Sequence, residues 1–330
     1  MKYTISAALL SMLLLLGAAF TVGAQGVQQQ MLQPEAQEIR IAALQGPTGF
    51  GLARILGEGA QGELISFDTQ VLPSPNEAVA RMASGELDAA LLPVNLASVV
   101  YNRGLPFKPA AVTGLGMIHL LSRDPDVTRW EDLAGKEVHV SARGATPDYL
   151  TQYILKQKGL TDQVSLNYSV TSAPQLAQMM IAGRVTHIVV PEPFATMADR
   201  AGADAVTRAL DYQQAWQELL DTDAVYPMTV LVLSNALLEG DPRIVEAIFE
   251  EIAASIQWTY DHPQEASVII EDKGILTAAM AMPAIPNSGL TFSTMEEARD
   301  SVADFLQVLY QFDASSVGGA LPDDQFYWTR

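Results

Sequence analysis

The sequence contains no cysteine. Disulfide bonds, thiolate nucleophiles and cysteine-ligated metal sites are therefore excluded. A bacterial lipid anchor on an N-terminal cysteine is excluded as well. If a bacterium exports this protein and retains it, we expect the protein to be free in an enclosed compartment, which points to a periplasm.

Basic residues are scarce. The chain has 19 Lys and Arg against 38 Asp and Glu, for a formal net charge of −19. So large a negative excess makes nucleic acid an unfavourable partner. The charge favours solubility through mutual repulsion over an acidic docking surface.

Recognisable catalytic and metal-binding motifs are also missing. The four histidines, His119, His139, His187 and His262, lie far apart and lack the spacing of metal ligands. There is no G-x-S-x-G elbow, no nucleotide-binding G-x-x-x-x-G-K-[ST] loop and no H-E-x-x-H helix. We therefore predict a protein that is not an enzyme and that needs no metal or other cofactor.

Only one apolar run approaches the length of a membrane span, at residues 5–22. Lys2 precedes this run, and Val22-Gly23-Ala24 fits a small-x-small cleavage site. We predict a secretion signal over residues 1–24, cleaved near Ala24, in preference to a retained anchor. The polar, glutamine-rich residues 25–37 are predicted to be a disordered leader.

The chain is organised around a strand, a glycine-rich turn and a helix. Residues 39–44 are apolar except for Arg40 and end at a turn over residues 45–49, after which Phe50 and Leu56 follow a helical pattern. A turn of this kind exposes backbone N–H groups at the start of a helix. Those groups can hold an anion or another hydrogen-bond acceptor.

The same pattern returns after a shift of 98 residues, which takes Met82 to Met180 and Pro93 to Pro191. The glycine-threonine turn at residues 46–48 falls on residues 144–146 without a gap. We therefore predict two similar β/α lobes.

Two apolar segments, residues 112–122 and 226–234, are predicted to be strands that cross between the lobes and form a two-strand hinge. Lobe one is predicted over residues 38–121 and 228–330, and lobe two over residues 122–227. Further helices are expected from residue 241 to about 260 and over residues 264–271 and 294–310. The tail from Phe312 is expected to be loop.

Ligand loops in such α/β lobes lie at the carboxyl ends of the parallel strands. We therefore expect a cleft lined by helix N-termini from both lobes. The predicted ligand-binding residues are Gly46, Pro47, Thr48, Gly49, Phe50, Asn95, Gly144, Ala145, Thr146, Glu192, Phe194 and Tyr226.

The polar candidates each have a structural alternative. Thr48 and Thr146 could donate hydroxyls to a ligand or only cap their helices. Asn95 could bind ligand or cap the helix that follows it. Glu192 could accept a hydrogen bond from an amine, a hydroxyl or a ring N–H, and it would repel a simple anion. Its alternative is a hydrogen bond within lobe two.

The aromatic candidates are Phe50, Tyr149, Phe194 and Tyr226, which could wall the cleft. For any one of them alone, core packing is the more common role. Arg143 could pair with an anionic group, but a solvent-exposed arginine is the more common case.

Several of these segments together carry a family resemblance. Residues 46–49, 85–90, 131–136, 144–146 and 191–194 resemble periplasmic substrate-binding proteins of ABC importers. The group in question includes binders of nitrate, sulfonate, taurine and thiamine pyrimidines. The DL-x-GK turn within 131–136 and the EPF segment within 192–194 are the most specific.

The resemblance implies an α/β fold of the type II periplasmic-binding-protein class, a clamshell that closes on a ligand and docks on a permease. It implies binding positions at the two glycine-threonine turns, at Asn95 and at Glu192. We expect a monomer whose partners are a small-molecule ligand and the transmembrane subunits of an ABC permease, with no nucleic acid and no membrane contact except through that permease.

Two other functions remain open from sequence alone. The chain could be an exported enzyme on the same bilobal fold, or a ligand-sensing partner of a membrane receptor. For the ligand we expect an uncharged or zwitterionic organic molecule, such as a heteroaromatic one, because Glu192 opposes a bare oxyanion.

Overall fold

The computed structural model describes residues 36–141, 143–170 and 172–330. The predicted secretion signal and almost all of the predicted leader lie outside the described residues. Residues 38–330 form one compact unit. Strands and helices are numbered here in chain order.

Eleven strands in the described residues form two separate sheets. The first sheet has six strands in the order β11-β4-β10-β3-β1-β2. Their bounds are β1 Gln37–Leu44, β2 Ile65–Leu72, β3 Ala89–Pro93, β4 Phe107–Leu115, β10 Pro227–Ser234 and β11 Leu290–Thr294. Strands β1 and β3 are parallel, whereas β10 runs antiparallel to both β3 and β4.

The second sheet has five strands in the order β7-β6-β8-β5-β9. Their bounds are β5 Ile118–Ser122, β6 Glu137–Val140, β7 Ser165–Asn167, β8 His187–Pro191 and β9 Thr207–Asp211. Strand β6 pairs in parallel with β7 and β8, and β5 is antiparallel to β8 and β9. The order and directions of β5, β8 and β6 thus match those of β10, β3 and β1 in the first sheet.

Helices connect the strands and cover both sheets. They are α1 Pro47–Gly51, α2 Ala53–Glu58, α3 Pro75–Ala83, α4 Val94–Asn102, α5 Thr146–Gln157, α6 Ala173–Ile181, α7 Phe194–Gly202, α8 Tyr212–Leu220, α9 Asn235–Leu238, α10 Pro242–Asp261, α11 Pro263–Asp272, α12 Ala278–Ala284 and α13 Met295–Phe312. The 98-residue shift relates α3 to α6 and β3 to β8 residue for residue. The predicted internal repeat is therefore confirmed at these elements.

Alternate strand residues pack on opposite faces of each sheet, as the pleat requires. In β1, Ala42 and Leu44 belong to one apolar cluster, whereas Ile41 and Ala43 belong to another. The cluster that holds Leu44 also takes in residues of the second sheet, such as Val189. The two lobes therefore share one continuous core, with a further cluster on the outer face of each sheet.

The chain crosses between the sheets twice. The apolar segment 112–122, predicted as a single strand, is two strands in different sheets, because the chain leaves the first sheet at Gly116 and Met117. The second crossing lies between α8 and β10. The predicted lobe limits stay a prediction, and from sheet membership we propose crossings at residues 116–117 and 221–226.

The C-terminal tail differs from the expected loop. Two single 3₁₀ turns, Ala314–Val317 and Asp324–Phe326, follow α13, and Val317 and Phe326 are fully buried. Ser98 of α4 donates a hydrogen bond to the Val317 carbonyl at 2.8 Å. The tail is thus a packed part of lobe one. Its Gly318-Gly319 pair is typical of loops, which is why the packing was not predicted.

Candidate functional site

The turn after β1 is closed by its own side chain. Thr48 donates a hydrogen bond to the Leu44 carbonyl and accepts one from the Leu44 amide, each at 3.0 Å. Gly46 takes a φ of +123°, which favours glycine, and a Cβ on Gly49 would lie 2.7 Å from Ile275. These contacts explain the glycines and the threonine structurally. The ligand roles of Gly46, Pro47, Thr48 and Gly49 stay predictions.

The equivalent turn after β6 is held differently. Asp148, in the first turn of α5, accepts a hydrogen bond from the Gly144 amide at 2.8 Å. Gly144 has a φ of +76°, and Ala145 is the N-cap residue of α5 without a side-chain cap. The Asp148 carboxylate therefore stabilises this turn, and the Thr146 hydroxyl is available for other partners.

Thr146 uses that hydroxyl to reach the opposite lobe. It lies 3.5 Å from Asn95 Oδ1, as a long hydrogen bond, while Asn95 Nδ2 donates to the Ser316 carbonyl at 3.3 Å. Asn95 is the second residue of α4, and Thr146 is the first residue of α5. The N-termini of α4 and α5 therefore meet across the boundary between the lobes. Neither helix carries a side-chain cap from a described residue.

Two further polar contacts join the lobes. Asn287, after α12, donates to the Thr196 hydroxyl of α7 at 3.2 Å. The Tyr149 hydroxyl of α5 donates to Asp313 at 3.3 Å. The Asn95–Thr146 pair is thus one of several contacts that set the two lobes in this arrangement.

Glu192 is fully buried and paired within lobe two. Its Oε1 lies 2.6 Å from Nη1 of Arg208 on β9, and its Oε2 accepts from the Thr196 amide at 3.1 Å. Burial raises the pKa of the Glu192 carboxyl, and the Arg208 charge opposes that shift. The buried carboxylate thus caps the N-terminus of α7 and balances the charge of the partly exposed Arg208. This geometry fits the structural alternative given for Glu192, and its ligand role stays a prediction.

Arg208 is a residue that sequence reasoning did not single out. It also donates to the Thr196 hydroxyl at 2.6 Å. The signal that could have found it is a lone arginine inside the short strand 207–211, opposite a buried glutamate.

His119 of β5 adjoins this pair, with its Nε2 3.6 Å from Glu192 Oε1. Burial first, and the Arg208 charge second, lower the pKa of His119 to about 4. The imidazole is therefore neutral at neutral pH. The cluster of His119, Glu192 and Arg208 lies beneath the first turn of α7. In α4, Val94 stands at the position that the 98-residue shift relates to Glu192.

The aromatic candidates divide by burial. Phe50 is fully buried in the outer core of lobe one. Tyr226 is fully buried at the second crossing, stacked on Phe305 at 6.1 Å. Phe194 is half-buried at the start of α7. Of these three rings, only Phe194 presents surface in this arrangement, although the ligand role of each ring stays a prediction.

Arg143 is exposed, and its guanidinium lies 4.9 Å from the centre of the Tyr168 ring. Within the described ranges, no group of three or more His, Asp or Glu residues could hold a metal ion. In that same part of the chain, no helix combines the length and apolar character that a membrane crossing requires.

Similar proteins were found at the level of family and of structure. The model of the NMT1-like family matches residues 61–271. A solved ABC transporter protein from Parabacteroides distasonis is 26% identical, with a TM-score of 0.78, over 90% of this chain and 100% of that chain. No curated protein sequence matches the chain.

More distant solved structures share the fold. The periplasmic aliphatic sulphonate binding protein SsuA from Escherichia coli is 15% identical, with a TM-score of 0.69, over 90% of this chain and 93% of its own. A zinc-bound ligand-binding component of an ABC-type import system from Staphylococcus aureus is 14% identical, with a TM-score of 0.62, over 88% and 98%. These neighbours are binding components of importers and not enzymes, and they confirm the predicted two-lobe periplasmic-binding-protein fold.

The resemblance to substrate-binding proteins of ABC importers is therefore confirmed. Because the family model covers well over half of the sequence, the chain belongs to the NMT1-like family.

Proposed function

We propose that the protein is a solute-binding receptor that captures a small organic molecule between its two lobes and delivers it to an ABC-type permease. The observation that carries the proposal is the meeting of the uncapped α4 and α5 N-termini from opposite lobes, at Asn95 and Thr146. A ligand that replaces this long contact would bridge both lobes. It would stabilise the closed arrangement by its differential affinity for that arrangement.

The geometry favours a ligand with a hydrogen-bond acceptor or anionic group at the junction of α4 and α5. Two helix N-termini without a side-chain cap from a described residue, each the positive end of a helix dipole, point to such a group. The repulsion of anions expected from Glu192 is weakened, because Arg208 balances its charge at 2.6 Å. A zwitterionic molecule fits these features, and the E. coli neighbour is described as a sulphonate-binding protein.

We further propose a periplasmic location, a monomeric state and no catalytic turnover. Two of the structural neighbours are named as periplasmic binding proteins. The buried polar cluster at Glu192 contains an acid and a neutral histidine, but both are engaged in structural contacts within lobe two.

Native mass spectrometry of the purified protein, followed by denaturation, tests the proposal directly. We expect a bound small molecule that is released on unfolding. If the protein is purified empty, a thermal-shift screen of small zwitterions and oxyanions follows, because a ligand that binds only the folded state must raise the unfolding midpoint. Turnover of a bound molecule, or the absence of any ligand in both experiments, would contradict the receptor function.

A further inference from the structure

The two crossings between the sheets are joined to each other by hydrogen bonds. In the first crossing, the Gly116 amide donates to the Tyr226 carbonyl of the second crossing at 3.0 Å. The Ile118 amide, at the start of β5, donates to the Tyr226 hydroxyl at 3.3 Å. Tyr226 therefore holds the two crossings together through its backbone and through its side chain.

Gln213, in the first turn of α8, ties the second crossing to lobe two. Its Oε1 accepts a hydrogen bond from the Tyr226 amide at 3.2 Å, and its Nε2 donates to the Ala224 carbonyl at 3.0 Å. The position of Tyr226 is thus fixed from the first crossing and from α8 at the same time.

The Tyr226 ring lies between aromatic residues of the two lobes. It is stacked on Phe305 of α13 in lobe one, with ring centres 6.1 Å apart and planes 14° apart. Trp216 of α8 in lobe two lies 5.8 Å from it, ring centre to ring centre. The Tyr226 ring is fully buried and closely packed. A rotation of one lobe against the other must therefore change its contact with at least one of these two rings.

Gly116 permits this packing because it has no side chain. A Cβ at this position would lie 2.8 Å from Gln213 Oε1 and 3.0 and 3.1 Å from two atoms of the Tyr226 ring. The φ of Gly116 lies outside the left-handed range, so glycine is needed here for space and not for backbone conformation. A buried ring held on two sides has little room to move away from an added methyl group.

We propose that Gly116 and Tyr226 form a pivot that sets the angle between the two lobes. The present arrangement requires glycine at position 116, because a side chain there would push the two crossings apart. The pivot also determines the shape of the cleft that a ligand meets. This last consequence rests on the proposed function, whereas the pivot itself does not.

Double electron–electron resonance on the refolded, ligand-free full chain tests the pivot. Because the sequence has no cysteine, spin labels attach only at the introduced pair Arg103→Cys and Gln157→Cys. These exposed positions stand at the C-terminal ends of α4 and α5, in opposite lobes. Gly116→Ala should shift the equilibrium away from the wild-type distance about tenfold, because the added methyl group overpacks the pivot.

Gly62→Ala is the matched control. This glycine is exposed and lies in lobe one, and a Cβ there would make an ordinary contact of 3.4 Å with Glu251 Oε1. The control should leave the distance distribution unchanged. An equal shift in Gly116→Ala and Gly62→Ala, or no shift in Gly116→Ala, would overturn the proposal.

Tyr226→Leu is the second variant, and it carries the test if Gly116→Ala does not fold. It keeps the position apolar but removes the ring that the added methyl group would meet. Alone it should also shift the distance distribution, and its effect should not add to that of Gly116→Ala, because both changes act on one contact. An unchanged distribution in Tyr226→Leu, or fully additive effects, would contradict the pivot. No ligand is used, so a failure here leaves the receptor function untouched.

Discussion

The two lobes are built from the same sequence pattern, yet their corresponding turns make different contacts. In lobe one, Thr48 is engaged by the backbone of Leu44 on its own turn. In lobe two, Asp148 secures the turn, and Thr146 is left to reach across to Asn95. The comparison teaches that an internal repeat predicts where backbone groups lie, whereas the role of a repeated side chain depends on its neighbours.

The helices that follow Pro93 and Pro191 differ in the same way. The first turn of α4 has no side-chain cap from a described residue and meets the other lobe. The first turn of α7 is capped by Glu192, whose charge is balanced by Arg208. We therefore propose ligand contact at α4 and α5, and a structural role for the acid before α7.

Removal of Arg208 should have the largest effect. Arg208→Ala leaves the Glu192 carboxylate buried without its cation, and we expect a loss of about 3 kcal/mol in the free energy of unfolding, since one quarter of the Arg208 side chain is exposed and partly screened. Urea denaturation measures the loss. Arg200→Ala, on the exposed side of α7, is the control and should change stability by less than about 0.5 kcal/mol.

A loss as small for Arg208→Ala as for the control would show that the pair is not structural. Glu192→Ala should also destabilise the empty protein, because it removes the carboxylate partner of Arg208. That result would differ from the small loss expected of a residue whose only role is to bind ligand.

Acid should lower the stability of the protein through His119 in lobe two. The pKa of His119 is about 4 in the folded protein against 6.5 ordinarily, so the unfolded chain binds more protons between these values. The contribution of His119 to stability therefore rises with pH from about 4 to 6.5 and is level above. The His119 contribution lost between pH 7 and pH 5 is about 2 kcal/mol.

Unfolding of wild type and His119→Gln at several pH values tests this, because the variant should lack that part of the slope. His262→Gln, at an exposed position, serves as control. An identical pH dependence for wild type and His119→Gln would disprove the buried, neutral state of His119.

The two threonines allow a direct comparison of the turns. Thr48→Val removes two buried hydrogen bonds and should cost about 2 kcal/mol of stability, with little change in ligand affinity. Thr146→Val removes only one long contact and should cost less than about 0.5 kcal/mol, but it should weaken ligand binding about tenfold. Thermal unfolding and calorimetric titration measure the two effects, and the opposite pattern would reverse our assignment.

The smallest effect is expected between Asn95 and Thr146 in the empty protein. A double-mutant cycle with Asn95→Ala and Thr146→Val should give a coupling energy of about 0.5 kcal/mol or less, because the atoms are 3.5 Å apart. A coupling energy well above 1 kcal/mol would mean that this contact latches the lobes without ligand.

Much of the fold could be predicted from the sequence. Apolar strands, proline breaks and the 98-residue repeat indicated two lobes, and the helix expected from residue 241 to about 260 is α10. The division of residues 112–122 between two sheets could not be predicted, because a continuous apolar run carries no mark of where the chain changes sheets. The packed tail was missed because its burial depends on residues of α4 that are distant in sequence.

The site was predictable only at the level of backbone. The spacing placed Asn95 and Thr146 at helix starts, and the structure brings these two together. The spacing could not show whether Glu192 contacts a ligand or pairs with Arg208, because Arg208 lies on a strand that does not neighbour β8. Nor could it separate Tyr226, enclosed in the core, from an aromatic that faces a cleft.

The central claim is that the ligand lies where α4 and α5 meet and contacts both lobes. Hydrogen–deuterium exchange, with and without the molecule released from the purified protein or the strongest hit of the thermal-shift screen, tests it most directly. The account predicts ligand-dependent protection of the amides at residues 94–97 in lobe one and 144–148 in lobe two. Protection confined to one lobe, or protection absent from both segments, would contradict it.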